Sequence, residues 1–255
     1  MQNTMKLHVI NGYIQSIYLA EYSDKLLLLD GCCRADVDLV VEFIEQNLKR
    51  KARDLSLVVV THMHPDHAGG AHKLRTLTGC KIACANVAGQ WYTGLDGHLM
   101  HWTDMALTRW VAKRQGKPAK NVWYNAKLQP DFKMNDGDLL PNFDDWQIVE
   151  TQGHTDRDIS LHHLPSNSMY VADLIVKVKN KYLPPFPVFY PNRYKRSITK
   201  VYNKAADKLM LAHGGELTLT DESYQQLLAR APNVPLTHWR SVKAKLATVL
   251  GLQKQ

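Results

Sequence analysis

LSLVVVTHMHPDHAGG, residues Leu55 to Gly70, passes from six positions with one polar member into three imidazoles and a carboxylate within the six residues His62 to His67. A run that is apolar at consecutive positions predicts a strand buried on both faces, which carries the following loop to the end of an interior sheet. His62 and His64, two apart, can share one ion; Asp66 and His67 can face a second. Imidazole nitrogen and carboxylate oxygen suit zinc, iron, manganese or nickel, and a run without thiolate argues against a purely structural, cysteine-rich zinc. The bland alternative is a set of surface or core histidines satisfied by hydrogen bonds. Three of them around an aspartate, directly after a buried strand, favour a catalytic metal site.

The 255 residues, 45% hydrophobic, suffice for one large domain with a substantial core. No window approaches the roughly 18 apolar residues of a membrane span, and Met1 to Leu7 lacks a basic region followed by an apolar core. A soluble, cytoplasmic protein without membrane partners is therefore expected. Cys32, Cys33, Cys80 and Cys84 read as buried free thiols, with Cys80, Ile82 and Cys84 alternating as one face of a strand. The spacing of Cys80 and Cys84 is not that of a zinc knuckle. The formal net charge is +8, with local clusters at Lys177, Lys179 and Lys181 and at Arg193, Lys195, Arg196, Lys200 and Lys204. Such clusters are solvated faces or an anion-binding rim.

The first thirty residues predict an antiparallel meander: Leu7 to Ile10, the turn Asn11-Gly12, Tyr13 to Ala20, then Lys25 to Leu29, closed by Asp30-Gly31. Val37, Val40, Val41, Ile44 and Leu48 predict a helix from Asp36 to Arg50. After the histidine loop, Gly69-Gly70 is expected to turn the backbone tightly into a helix over Ala71 to Leu77, followed by a strand from Cys80 to Ala85. Gln90 to Gln129 reads as helices inserted over the mouth of the site. Trp91, Tyr92, Met100, Trp102, Met105 and Trp110 there could wall an apolar pocket or form a small core of their own. His98 and His101, one helical turn apart, are expected to pack or face water rather than bind metal.

Trp146 to Thr151 predicts a strand leading to Gly153-His154-Thr155. Ile159 to Leu164 and Ser168 to Ala172 form a hairpin that ends at Asp173. A helix from Ser197 to Lys208 and a strand from Leu209 to Ala212 lead to His213-Gly214-Gly215, and closing helices are expected at Tyr224 to Ala231 and Val242 to Leu252. Leu183-Pro184-Pro185-Phe186-Pro187 is a stiff loop suited to a second wall. Candidate ligands thus stand at four strand ends: the histidine loop, His154, Asp173 and His213. Successive strands of a layered sheet bring such ends to one edge.

In this order the motifs resemble the metallo-β-lactamase superfamily. THMHPDHAGG is similar to its His-x-His-x-Asp-His signature, GHTDRD to its Gly-His-Thr turn, VADL to its strand-end Asp and AHGGE to its last His-Gly turn, over Leu7 to about Gly215. The resemblance implies an α+β fold: an αββα four-layer sandwich of two mixed β-sheets flanked by helices, one domain over residues 1–255 with the insert at about 90–129. It implies that His62, His64 and His154 hold one ion, that Asp66, His67 and His213 hold another, and that Asp173 bridges them. Asp30 matches an Asp before a Gly at an early strand end, either hydrogen-bonding a ligand or serving as a plain turn residue.

Two divalent ions, zinc first with iron or manganese as alternatives, would share a water, lower its pKa toward neutrality and hold it as hydroxide toward an acyl or phosphoryl group. Asp66 would orient or deprotonate the nucleophile. Within the superfamily, the expected enzyme is a hydrolase of an ester-like bond, thioester or lactone, in a small and anionic substrate, similar to the glyoxalase II and lactonase branches. The second half does not closely match the glyoxalase II substrate pattern. Lactonases place a Tyr three residues after the bridging Asp, where this chain has Val176, so that Tyr182, Tyr190 or Tyr194 would have to fold back. A mononuclear iron sulfur-oxidising dioxygenase and a phosphodiesterase or nuclease are the alternatives. Nucleic acid is not the expected partner, because no large inserted domain or RNA-binding arm is present. A secreted β-lactamase would need an export signal. The oligomeric state is not legible.

Overall fold

The computed structural model describes residues 5–237, so the helix expected at Val242 to Leu252 lies outside the described residues. Six strands form the first sheet in sequence order: β1 (Lys6–Asn11), β2 (Ser16–Glu21), β3 (Leu26–Leu28), β4 (Leu55–Val60), β5 (Lys81–Ala85) and β6 (Phe132–Met134). The meander β1–β2–β3 is antiparallel, whereas β3 through β6 run parallel. The second sheet comprises β7 (Leu139–Leu140), β8 (Phe143–Glu150), β9 (Ile159–His163), β10 (Ser168–Tyr170), β13 (Lys208–Leu211) and β14 (Gly215–Leu217), in the order 14-13-10-9-8-7. Only β10 and β13 pair in parallel there. Between them in sequence, β11 (Val176–Val178) and β12 (Lys181–Leu183) make a separate hairpin.

Strand β4 shows why the layers stack. Val58 and Val60 join a core shared with Val37, Val40, Ile44 and Leu74 of the helices outside the first sheet. Leu57 and Val59 point the other way, into a core with Trp146, Ile148, Leu161 and Tyr170 of the second sheet. A strand covered on both faces must be apolar at successive positions. A third core joins Val149, Met169, Leu209 and Leu211 to helices α5 (Pro191–Asn203) and α6 (Asp221–Arg230). Helix, sheet, sheet and helix thus form the expected αββα sandwich of two mixed sheets.

The helix expected from Asp36 to Arg50 is shorter and irregular: a single 3₁₀ turn at Arg34–Asp36, α1 over Val37–Glu42, then a π-type turn over Phe43–Asn47. Two helices come after the histidine loop, α2 (Pro65–Ala68) and α3 (Ala71–Thr78). Gly69 and Gly70 between them keep ordinary negative φ values. Glycine is needed at 70 for packing rather than for turning: a Cβ there would sit 2.6 Å from the Cys32 sulfur and 2.7 Å from the Gly31 carbonyl oxygen. As expected, all four cysteines are free, with Cys80, Ile82 and Cys84 on the helix side of the first sheet.

The insert is one long helix, α4 (Gly94–Arg114), and then a segment without regular structure to residue 131, rather than the several helices expected. Gly116 at φ 72° and Pro118 end the helical path, and side-chain hydrogen bonds pin the irregular segment. Gln90 brackets Leu128, its amide donating to the Leu128 carbonyl at 3.0 Å and accepting its N–H at 2.9 Å. Trp102 and Trp110 face solvent, so they form neither a pocket wall nor a core. Helix α5 starts six residues before the expected Ser197, because Pro191 at its first position presets a helical φ; Lys208 belongs to β13 instead.

Asp36 provides a pH-dependent test of the fold. Its carboxyl is buried with one oxygen unpartnered, and burial pushes its pKa up to about 6. A carboxyl raised in the folded state favours the protonated form, so its contribution to stability is greatest below the unfolded value near 4 and is lost as pH rises toward 6. Asp36→Asn is expected to stabilise the protein at pH 7 by about 1–2 kcal/mol, with the gain vanishing near pH 4. Urea unfolding at both pH values checks this, and an Asn variant less stable at pH 7 would sink it.

Candidate metal centre

The parallel strands place the ligands. Strand β4 ends at Val60, and Pro65 at the first position of α2 starts a short helix that carries Asp66 and His67 inward. His154 follows β8, Asp173 follows β10 and His213 follows β13. All seven side chains expected as ligands come to one edge of the sandwich. Their atoms form two groups within 4.8 Å: His62, His64, His154 and Asp173; and Asp66, His67 and His213.

In the first group, His64 Nδ1 lies 3.1 Å from His62 Nε2 and 2.8 Å from His154 Nε2. Asp173 Oδ2 stands 3.9 Å from His62 Nε2 and 3.6 Å from His154 Nε2. In the second, Asp66 Oδ2 is 2.9 Å from His213 Nε2 and 3.5 Å from His67 Nε2. Asp173 Oδ1 is 3.2 Å from His67 Nε2 and 3.5 Å from His213 Nε2. Four ligands held about 2.1 Å from an ion in a tetrahedron are about 3.4 Å apart. Both groups have edges of that size, and the Asp173 carboxylate turns one oxygen to each.

The outer nitrogens dictate the tautomers. His154 Nδ1 meets the Pro187 carbonyl at 2.5 Å, His213 Nδ1 the Ile14 carbonyl at 3.1 Å and His67 Nδ1 the Asp30 carboxylate at 2.6 Å. These oxygens only accept, so each imidazole donates outward through Nδ1, which leaves Nε2 as the nitrogen turned inward toward the carboxylates and available to a metal. The Thr61 hydroxyl, which donates to Asp30 at 2.8 Å, can accept from His62 Nδ1 at 3.2 Å. Buried His67 Nε2 and Asp173 Oδ1 have no hydrogen-bond partner; although 3.2 Å apart, they lack the geometry of a bond. Converging lone pairs with orphaned atoms among them are costly in a protein interior unless a cation sits between them. The donor set therefore fits divalent metal.

Electrostatics agree. Burial, reinforced by the neighbouring imidazoles, pushes His62 and His64 well below the usual histidine range, keeping both neutral. Burial opposes the charged form of Asp173, yet His67 and His213 outweigh it and hold the carboxyl below its usual range. Burial likewise opposes charge on His67 and His213, and Asp173 and Asp66 override it, raising both. A field that stabilises a proton between these carboxylates also stabilises a metal cation there.

Asp30 is more than a turn residue. Its Oδ1 accepts the N–H groups of Gly31 at 3.0 Å and Thr61 at 3.1 Å, and its Oδ2 accepts from Thr61 Oγ1, His67 and the Tyr170 hydroxyl at 2.9 Å. Two further carboxylates escaped the sequence reading. Asp158 binds the N–H groups of Gly153 at 3.0 Å and Thr155 at 2.6 Å, shaping the turn that aims His154; the Thr-x-x-Asp spacing within GHTDRD was its only signal. Gly153 in that turn has φ 151°, and a Cβ on it would lie 2.4 Å from Tyr194 Cα. Asp104, on the buried face of α4, lies 3.8 Å from the outer Nε2 of His64. The Tyr92 hydroxyl holds it at 2.9 Å, and burial pushes its pKa up to about 7. Nothing local in the sequence relates Asp104 to His64.

His101 is buried against Tyr92 and Tyr124, and His98 is exposed, so neither joins the centre, as expected. Tyr194 is buried in the third core and Tyr182 donates to the Glu216 carbonyl at 3.4 Å, so neither takes the place of the tyrosine that Val176 lacks.

The sequence profile of the metallo-beta-lactamase superfamily matches residues 10–213. The chain belongs to the metallo-beta-lactamase superfamily. Among solved structures with this fold, a metallo-beta-lactamase family protein from Thermus thermophilus is 17% identical, with a TM-score of 0.66 over 98% of this chain and 83% of that one. An archaeal superfamily protein from Sulfolobus tokodaii is also 17% identical, at 0.63 over 89% and 86%. A subclass B3 metallo-beta-lactamase of Bradyrhizobium japonicum is 15% identical, at 0.57 over 99% and 96%. At such identities the likeness shows the fold alone. A search of curated proteins finds no significant match. Among the described residues, no helix is long and apolar enough to cross a membrane.

Proposed function

We propose that this superfamily member is a two-metal hydrolase of an ester-like bond, thioester or lactone, in a small anionic substrate. One observation carries the reading: the Asp173 carboxylate faces three imidazoles with one oxygen and the Asp66, His67 and His213 group with the other. In this reading His62, His64 and His154 hold the first ion, Asp66, His67 and His213 the second, and Asp173 both. Five imidazoles with two carboxylates favour zinc, with iron or manganese able to replace it. Such a pair of ions, when bound, would supply an acidified water and an electrophile for a carbonyl oxygen. Asp66, ordered by His213, is the group assigned to orient the water and accept its proton.

The surroundings support a small anionic substrate. A cleft beside His62 is bounded by Cys84, Val87, Leu128 and Pro130, with Lys133 as a cation and Arg157 paired with Asp156 at 2.8 Å. The hairpin β11–β12 brings the Lys177 backbone beside the second group, its N–H donating to the His213 carbonyl at 2.7 Å, while its ammonium lies 5.6 Å from the centre of the Tyr182 ring. The nucleophile needs no serine or cysteine; burial pushes the Cys84 thiol in the cleft up to about 11, which keeps it unreactive.

Asp104 is assigned as a positioning residue. Of the five histidines, His64 alone turns Nδ1 inward, so its outer Nε2 needs an acceptor, and the buried Asp104 carboxylate faces it. Such partners are worth about 10- to 100-fold in metal affinity. Asp104→Ala is expected to weaken one of two bound equivalents by that factor in a chelator titration and leave the other unchanged; equal affinities for both would remove the assignment.

The functional test is a panel of thioesters, lactones and phosphodiesters with zinc-loaded protein, alongside metal analysis. Close to two equivalents per chain with turnover of a thioester or lactone is expected. One iron with oxygen uptake on a persulfide would overturn the hydrolase reading.

A further inference from the structure

The outer face of α4 is unusual for a surface helix. Leu95, Leu99, Trp102 and Trp110 are 84%, 60%, 65% and 52% exposed. With exposed Ala106 they fall at spacings of 4, 3, 4 and 4, on one stripe opposite the buried Gly97, His101, Asp104, Thr108 and Ala112. From Leu95 to Trp110 the stripe runs for about 22 Å. Single exposed apolar residues are ordinary; an aligned row with two tryptophans marks an interaction surface. The spacing is that of a helix–helix seam.

We infer that this face of α4 packs antiparallel against α4 of a second copy of the chain, forming a twofold dimer. Charge decides the partner and the direction. The exposed charges of α4 are segregated, with Asp96 at its N-terminal end and Arg109, Lys113 and Arg114 at its C-terminal end. A parallel pair would set like ends together. An antiparallel pair with its twofold axis between Asp104 and Met105 sets Asp96 level with the partner's Lys113 and within one residue of the partner's Arg114, which lies on the same flank of the seam. It also opposes the two helix dipoles. In that register Trp102 falls beside the partner's Ala106 and Leu107, and Leu99 meets the partner's Trp110, so the central tryptophan lies against a small residue and the outer pair fills the ends. The surface is self-complementary, as a twofold interface requires. An anionic membrane is the less suitable occupant, because Asp96 and the carbonyl end of the helix would both meet its charge. Since the opposite face of α4 carries Asp104, the dimer would brace the wall behind His64.

Light scattering on the full-length chain, coupled to size exclusion over a range of concentrations, tests the inference. A dimer is expected, and the exposed-site change Trp102→Glu should weaken association at least about tenfold without changing the circular dichroism spectrum. Asp96→Arg should also weaken it, and combining Asp96→Arg with Arg114→Asp should restore it. A monomer at all concentrations overturns the inference, as does a dimer indifferent to Trp102→Glu. Single and double charge variants that behave alike overturn the antiparallel register. A monomer that binds phosphatidylserine vesicles through Trp102 assigns the stripe to a membrane surface instead.

Discussion

Asp173→Ala is expected to cut bound metal from close to two equivalents to one or fewer and to lower hydrolysis by at least about 10³-fold. The expectation follows from the position of this carboxylate. Its oxygens face the two ligand groups separately, so one substitution removes a ligand from each. It also removes the charge that favours a cation between His67 and His213. Folding should survive, because the chain reaches Asp173 from the buried residues Val171 and Ala172, which keep their packing. Metal analysis and turnover on the substrate found by the panel read the result. Two retained equivalents with undiminished turnover would remove Asp173 from the centre.

Asp30→Ala is expected to cost both stability and metal. Five donors converge on this carboxylate, from Gly31, Thr61 twice, His67 and Tyr170. Alanine leaves them in a buried space with no acceptor, and each stranded donor costs about 1–3 kcal/mol before water or rearrangement recovers part. A net loss of about 3–5 kcal/mol is expected in urea unfolding. His67 also loses the acceptor that fixes its tautomer, so metal affinity should fall about 10- to 100-fold. A variant as stable as the parent, with unchanged affinity, would show that the five hydrogen bonds matter little.

The difference between these two aspartates illustrates how the sequence carries information. Asp173 follows a readable strand in VADL, and that motif alone marks it as a candidate ligand. Asp30 was legible as a residue before Gly31 that either turns the chain or hydrogen-bonds a ligand, but not which groups it holds, since Thr61, His67 and Tyr170 come from two distant segments, the histidine loop and β10. Asp104 was invisible. It lies 40 residues from His64 on a helix whose inward stripe contains His101, Asp104 and Thr108, so hydrophobic periodicity gives no hint of which face turns inward. The same failure explains the insert. Tyr92 and Met105 do enter the first core with Trp91 and Met100 packed against it, yet Trp102 and Trp110 are outside while His101, Asp104 and Thr108 are within.

Alternation and runs of apolar residues were enough for the sandwich, because a strand between two layers has to be apolar on both faces, and β3, β4 and β13 bear that mark locally. The candidate ligands and their order were likewise local, since each follows a strand legible in the sequence. What lies in no local pattern is the closing of the centre. The grouping of side chains from four loops, the outward hydrogen bonds that turn Nε2 of His67, His154 and His213 inward, and the acceptor facing His64 all depend on atoms far apart in the chain. Hydrogen bonds and charge pairs act over a few ångströms, so only the tertiary structure decided which distant groups came within that reach.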